Sequence, residues 1–188
     1  MNSHTTLAKF IHWTFTLLYA YGIFKQVDDL TQLEDASLLN FEIMFATIFL
    51  IIVLIRYFYM KDTPTLLGAH EDVPKGHLFI AKTVHRLVYF SLIMLPTTGL
   101  LIAGLFNLGM GGVEIAIALH EFSAFLSYVV IALHVGATLY SRYKSEGLWN
   151  AMVPIWKETG KNKSDLVKNL EIIENKIYKK VEDTFSKS

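Results

Sequence analysis

Long apolar runs separated by short polar connections make up most of the first 150 residues. Four runs approach or exceed the length of about 20 residues that crosses a bilayer as a helix; they cover about 7–24, 41–59, 80–106 and 115–140. The pattern predicts an all-α integral membrane protein, a four-helix bundle formed by residues 1–144.

After this region the pattern changes. Residues 145–163 mix tryptophans with polar residues, which predicts an interfacial segment and linker. Residues 164–188 predict an amphipathic C-terminal helix, since apolar residues recur there at three- and four-residue steps. They are Leu166, Leu170, Ile173, Ile177 and Val181. This seam is shorter than three heptads, so homodimerisation, docking on a partner and covering of the connections all stay open.

Composition agrees with a membrane protein and excludes several kinds of chemistry. Of 188 residues, 53% are hydrophobic and 18% charged, which suits a small helical membrane protein surrounded by lipid. The net charge is zero, so no overall field favours nucleic acid. The chain has no cysteine, which excludes disulfides, iron–sulfur clusters and covalent haem attachment. Any haem must therefore be held non-covalently.

Charge in the connections predicts the orientation. The connection after the first run is acidic apart from Lys25, and the one near residues 108–113 has no lysine or arginine. Basic residues gather instead at the other ends of the runs; these are Lys9, Arg56, Lys61, Lys75, Lys82, Arg86, Arg142 and Lys144. The positive-inside rule places both termini and the second connection in the cytoplasm.

Two histidines in the fourth run are the first candidates for function. His120 and His134 lie fourteen residues apart, so they share one helix face about 21 Å apart. Ionisable side chains inside a membrane are costly and usually functional, and neutral imidazole is a common metal ligand. Ligation of a cofactor is therefore favoured over simple hydrogen bonding inside a bundle.

The predicted orientation pairs these histidines with other helices. His12 and His134 lie at the same cytoplasmic-side depth, so they could hold one flat cofactor between facing helices. His120 lies near the outer surface, where the second run offers no histidine. The candidate partners there are Glu42, Met44 and Asn40.

These motifs resemble the bacterial cytochrome b561 family, which includes the cytochrome b subunits of nickel–iron hydrogenase and formate dehydrogenase, and superoxide oxidase. The resemblance rests on the IHW start, the third run AKTVHRLVYFSLIMLPTTGLL and the fourth run LHEFSAFLSYVVIALHVGATLYSRY, and covers about 7–154. Members are bundles of four or five helices in the bacterial inner membrane, usually with two b haems. The resemblance implies that His12 and His134 ligate the cytoplasmic-side haem and that His120 is one ligand of the outer haem.

The second run departs from the family. Members carry H-K-S-[LF]-G about fourteen residues before an arginine, and counting back from Arg56 places Glu42 at the histidine position. A carboxylate opposite His120 would give a high-spin iron centre of altered potential. Three outcomes stay open: a single haem, a second haem on His120 alone, or a second haem with a substitute ligand. Without that haem, Glu42 and His120 could hydrogen-bond to each other.

His85 lies at the depth of His12 and His134. The resemblance implies a histidine here that is not usually an axial ligand, so we expect it to bond a haem propionate or line a quinone pocket. Nearby Arg86, with Lys82 and Arg56, would supply positive charge toward the propionates. The alternative is that these basic residues only mark the membrane interface.

Three functions are consistent with these residues. The first is a haem b electron-transfer protein, working between a partner redox subunit or quinol and an acceptor. The second is a stand-alone superoxide:quinone oxidoreductase, for which the acidic or uncharged outer connections are unsuitable because they repel superoxide. The third is a membrane scaffold depleted of haem. The presence of both His12 and His134 is evidence against the scaffold. We favour an electron carrier over a stand-alone enzyme, because the outer connections are not basic and the second run lacks the expected histidine.

Overall fold

The computed structural model describes residues 4–25, 27, 29–61, 74–153, 155–158 and 165–185. Over these residues the chain is helical and contains no strand, which confirms the all-α class. The helices are α1 (Thr6–Phe24), a short 3-10 helix (Leu30–Glu34), α2 (Ala36–Met60), α3 (Lys75–Asn107), α4 (Val113–Lys144), α5 (Leu148–Met152) and α6 (Asp165–Phe185).

Three of the described helices, α2, α3 and α4, are long and apolar enough to cross a membrane. They contain the second, third and fourth predicted runs, so the prediction of a multi-pass membrane protein is confirmed. Helix α1 contains the first run and has 19 residues, but it is not among these three. A fourth span, and with it the four-helix bundle, stays a prediction.

Aspartates begin the elements on one side of the predicted membrane. Asp29 caps the 3-10 helix by accepting a hydrogen bond from the Thr31 amide, and Asp35 caps α2 by accepting one from the Ser37 amide. Both the Ser37 side chain and its amide lower the pKa of Asp35. The cap explains why α2 begins five residues before the apolar run at 41, since a capped helix can extend into polar sequence.

Two compact units divide the chain. The first, which we call the core unit, contains residues 6–62 and 87–130, and the second, the terminal unit, contains residues 1–5, 63–86 and 131–188. Helices α3 and α4 contribute to both units. The predicted domain boundaries at 144 and 163 stay predictions, and residues 154 and 159–164 lie outside the described part.

In the core unit, small polar side chains are buried and large apolar side chains are exposed, as in a membrane protein. Its best buried positions include the small polar residues Ser91, Ser123 and Ser127, each with 0% of its surface exposed. Large apolar side chains such as Leu17 and Phe125 are exposed instead. Lipid is as apolar as a leucine side chain, so helices in membranes associate through small residues and hydrogen bonds rather than through large apolar side chains.

The terminal unit is held together differently. Helix α6 contacts the first residues of α3 and the last residues of α4 through an ionic cluster around Lys144, whose surface is only 6% exposed. The short helix α5 lies within the predicted interfacial segment, where the Trp149 and Trp156 rings meet edge to face. The C-terminal helix is therefore docked on its own chain.

Candidate functional site

His12 lies in α1 within an aromatic surrounding of the core unit. The His12 ring contacts the rings of Trp13 and Phe15 edge to face, at centroid distances of 5.8 and 5.2 Å. The carbonyl of His12 accepts a hydrogen bond from the Thr16 hydroxyl at 2.7 Å. The imidazole is partly buried and held by rings on its own helix.

A buried arginine also lies near Phe15. The Arg56 guanidinium lies 5.3 Å from the Phe15 centroid and donates to the Ala8 carbonyl at 3.0 Å, which ties α2 to α1. Tyr89 of α3 also hydrogen-bonds this guanidinium. Arg56 is 7% exposed, and no carboxylate among the described residues is paired with it. His12 and this guanidinium, which no described carboxylate neutralises, therefore share Phe15 as a neighbour.

His85 and His134 come together in the terminal unit. Their ring centroids are 5.0 Å apart and the planes are inclined by 75°, so the edge of one ring meets the face of the other. The Nδ1 atom of His85 lies 2.7 Å from the Ala81 carbonyl oxygen. Because a carbonyl can only accept, Nδ1 carries the proton and Nε2 of a neutral His85 keeps its lone pair. Arg86 and Lys82 beside it are exposed.

His120 is oriented by α3 within the core unit. Its Nδ1 atom lies 3.0 Å from the Thr98 hydroxyl oxygen, and that hydroxyl in turn donates to the carbonyls of Met94 and Leu95 at 2.8 and 3.0 Å. The single hydroxyl hydrogen is thus engaged, so His120 must donate through Nδ1 and keeps the lone pair of Nε2. A Cβ atom at Gly99 would lie 3.5 Å from the His120 ring, an ordinary van der Waals distance, so Gly99 packs directly against the imidazole.

Glu42 has a different partner from the one that the sequence allowed. The Lys25 ammonium group forms an ion pair with the Glu42 carboxylate and lies 4.9 and 5.2 Å from the centroids of Phe41 and Phe45. The mutual hydrogen bond considered for Glu42 and His120 is not formed, since His120 is bonded to Thr98. Met44 is exposed on α2.

The histidines are thus divided between the two units. His12 and His120 belong to the core unit, whereas His85 and His134 belong to the terminal unit and are in contact. Sequence reasoning missed three neighbours: Thr98, Lys25 and Tyr89. Lys25 is the only basic residue in its connection, which was a signal for the pairing with Glu42, whereas Thr98 and Tyr89 gave none.

Helices with outward apolar faces, buried small polar residues and imidazoles inside spanning segments define a multi-pass helical membrane protein. A family model described as prokaryotic cytochrome b561 matches residues 3–154. The chain therefore belongs to the prokaryotic cytochrome b561 family, which confirms the resemblance seen in the sequence. No curated protein and no solved structure gives a significant match. Membership implies b-type haem binding and electron transfer at a membrane.

Taken one at a time, histidines among the described residues have the properties that a haem ligand needs. An axial histidine must offer an unprotonated ring nitrogen, and a second interaction usually fixes the proton on the other nitrogen. His120 meets this requirement through Thr98, and His85 through the Ala81 carbonyl. The apolar rings around His12 supply the surroundings that a haem needs.

Proposed function

We propose that this protein is a b-type haem electron carrier of the bacterial inner membrane, with one haem ligated by His12 and His134. The observation that carries the proposal is the presence of both histidines, at matching predicted depths, in a chain of the cytochrome b561 family. The bound haem would supply a one-electron redox centre. Electrons would pass between a redox partner subunit or the quinone pool and an acceptor.

The protein's own residues would hold the haem and set its potential. His85 contacts His134, and we assign it to bond a propionate or to border a quinone site. With Nδ1 donating to Ala81, its Nε2 lone pair suits the second role, because it can accept a hydrogen bond from a quinol hydroxyl, whereas a propionate needs an N–H donor at Nε2. Arg56 is the best placed of the cations for an electrostatic effect, because it is buried and shares Phe15 with His12. Exposed Arg86 would face the propionates from the membrane surface.

The outer site is proposed to lack an ordinary bis-histidine haem. His120 has the proton arrangement of an iron ligand, but the position expected for its partner is Glu42. Glu42 already forms an ion pair with Lys25, which a bond to iron would have to displace. A carboxylate that is already neutralised is a poorer ligand for iron than a free one.

The proposed topology places both termini and the connection between α2 and α3 in the cytoplasm. Its support is the distribution of basic residues around the ends of the helices. On the opposite side, Asp29, Glu34 and Asp35 are exposed, while the only nearby cation, Lys25, is paired with Glu42. An acidic outer surface does not attract superoxide, so the carrier is favoured over the superoxide-oxidising enzyme.

Replacement of His134 tests the ligand assignment directly. We expect His134→Ala protein, purified in detergent, to lose the sharp low-spin reduced-minus-oxidised band and most of its haem. The matched control is His77→Phe, which removes an imidazole but keeps the ring that stacks on Tyr178 at 4.5 Å. A normal low-spin spectrum in His134→Ala, or equal haem loss in both variants, would exclude the assignment.

A further inference from the structure

One face of α6 is clasped to the ends of α3 and α4. The Lys144 ammonium group of α4 donates to both oxygens of Glu174 at 3.0 and 2.9 Å, and the Tyr178 hydroxyl donates to the same carboxylate. The Tyr178 ring stacks on His77 of α3 with an interplanar angle of 11°. We call Lys144, Glu174, Tyr178 and His77 the clasp.

Glycine at position 76 allows this close approach. A Cβ atom built on Gly76 would overlap the carbonyl oxygen of Tyr178 and lie 3.0 Å from the carbonyl carbon. Because the obstacle is helix backbone, a side chain at position 76 cannot be accommodated by a rotamer change. The sequence is therefore adapted to hold α6 against the first turn of α3.

The neighbouring face of α6 is an apolar stripe that the described part of the chain leaves exposed. The stripe consists of Leu166, Leu170, Ile173 and Ile177, which are between 41% and 67% exposed. Glu174 and Tyr178 follow Ile173 and Ile177 by one position, which places the clasp about 100° from the stripe. Docking through the clasp thus leaves the most apolar face of the helix unpartnered by the described residues.

Part of the stripe borders α4 next to the clasp. A cavity of about 360 Å³ is lined by stripe and clasp residues together with a tyrosine of α4; its lining is Tyr140, Leu170, Ile173, Glu174, Ile177 and Tyr178. Tyr140 precedes Lys144 by four residues, so it is about 6 Å further into the predicted spanning helix than Lys144. The stripe is therefore close to the end of a helix that is long and apolar enough to cross a membrane.

We propose that α6 lies in the interface of the bilayer, with the apolar stripe embedded among lipid headgroups and upper acyl chains. Lys176 and Lys180 follow Ile173 and Ile177 by three positions, about 60° from the stripe on the side away from the clasp. Both are exposed, so their ammonium groups can reach phosphates while their stems lie along the apolar surface. This role goes beyond electron transfer and needs no haem.

A second copy of the chain fits the stripe less well. The stripe extends over twelve residues, about 16 Å of helix from first to last, which is fewer than two heptads. A seam of this length gives little association in water, whereas the clasp already holds α6 against the last turn of α4. Lipid therefore needs no association step to cover the stripe.

Because the chain contains no cysteine, a single introduced cysteine can be labelled specifically in the intact protein. Ile173→Cys places a nitroxide spin label on the stripe, and Asn175→Cys places one about 200° away on the exposed polar face. Both proteins are reconstituted into vesicles of phosphatidylcholine and phosphatidylglycerol. Collision of the label with dissolved oxygen reports lipid, and collision with a water-soluble nickel chelate reports water.

We expect a several-fold higher oxygen-to-nickel collision ratio at position 173 than at position 175, and the same contrast for Ile177→Cys. Equal ratios at the two faces would overturn the proposal. Exclusion of both reagents from position 173, with dipolar broadening that disappears on dilution with unlabelled protein, would also overturn it in favour of a second copy. These positions are exposed, so the labels leave the clasp intact, and haem content of the same samples reports separately on electron transfer.

Discussion

The two predicted ends of the membrane helices carry the same kind of ligand in different numbers. By the predicted topology, the sequence assigns three imidazoles, from His12, His85 and His134, to the cytoplasmic side, together with Arg56, which is buried within the core unit. It assigns to the outer side the imidazole of His120 and Glu42, which is neutralised by Lys25. Each position at which the family resemblance predicts a haem ligand holds a histidine, except the position in α2, which holds Glu42.

In the proposed haem arrangement, one half of the outer site keeps its geometry although the other half differs. His120 still has its hydroxyl partner and an available Nε2, and it packs against Gly99. The position expected for its partner is instead part of an ion pair between α2 and the preceding connection. The outer end would therefore provide a haem ligand from α4 only.

The largest effect should come from Glu42→His. An imidazole at this position would complete the pair with His120, so we expect haem per polypeptide to rise from about one to about two. The second haem should be low-spin, because both of its ligands would be imidazoles. Haem and protein assays on the same purified sample, with a reduced spectrum, provide the measurement.

Glu42→Gln is the control for this gain, since it removes the carboxylate and frees Lys25 without adding an imidazole. It should leave the haem content unchanged. If Glu42→His protein binds no additional haem although it is folded, the outer end has lost more than one ligand, and the contrast drawn here is incomplete.

The next effect concerns Thr98 in the Glu42→His protein. Thr98→Val keeps the shape of the side chain but removes the oxygen that accepts from His120 Nδ1, so the imidazole loses its fixed orientation. Loss of such a supporting interaction typically weakens metal binding about 10- to 100-fold. Titration of the protein with haem should show weaker binding of the second equivalent alone. Equal weakening of both equivalents would contradict a role confined to His120.

A smaller effect is expected at the cytoplasmic end from Arg56→Gln. A nearby cation favours the reduced haem, so its removal should lower the reduction potential by roughly tens of millivolts. Potentiometric titration measures this shift directly. The control is Lys82→Gln, an exposed cation on α3, whose charge is screened by water and should change the potential little. An equally large shift of the potential in Lys82→Gln would show that the effect is not specific to Arg56.

The sequence was sufficient to predict the spanning helices but not the contacts between their side chains. Continuous apolar runs predicted α2, α3 and α4 because lipid imposes the same requirement on every turn of a spanning helix. The start of α2 was predicted too late, since the Asp35 cap extends the helix into polar sequence. The pairing of His120 with Thr98 depends on the rotation of two helices, which periodicity in a wholly apolar run does not determine.

The same reasoning explains the C-terminal region. Its apolar repeat predicted an amphipathic helix, and α6 confirms one from Asp165 onward. The repeat did not predict the face that docks, because docking uses Glu174 and Tyr178 rather than the apolar residues. Hydrophobic periodicity alone does not predict the orientation of a helix that docks through ionic and aromatic contacts.

The smallest expected effect is the pH dependence of this docking. Burial alone would raise the pKa of Glu174, but the hydrogen bonds from Tyr178 and Lys144 outweigh it and lower the pKa below the ordinary value of 4.5. A depressed carboxyl pKa stabilises the docked helix above that ordinary value, and the contribution is lost as the pH falls through the lowered pKa.

A spin label at position 175 should therefore become more mobile on acidification, and the change should shrink in Glu174→Gln. Tyr140, Glu146 and His77 also lie in this cluster, so the comparison with Glu174→Gln is needed to assign the transition. An identical pH response in the two proteins would show that another group controls docking.

We propose one bis-histidine haem at the cytoplasmic end and none at the outer end. The decisive measurement is haem b per polypeptide in the detergent-purified protein, with a reduced-minus-oxidised spectrum of the same sample. We expect about one haem with a sharp low-spin band. About two haems would exclude this arrangement, and would show that the outer site binds haem with Glu42 or with His120 alone.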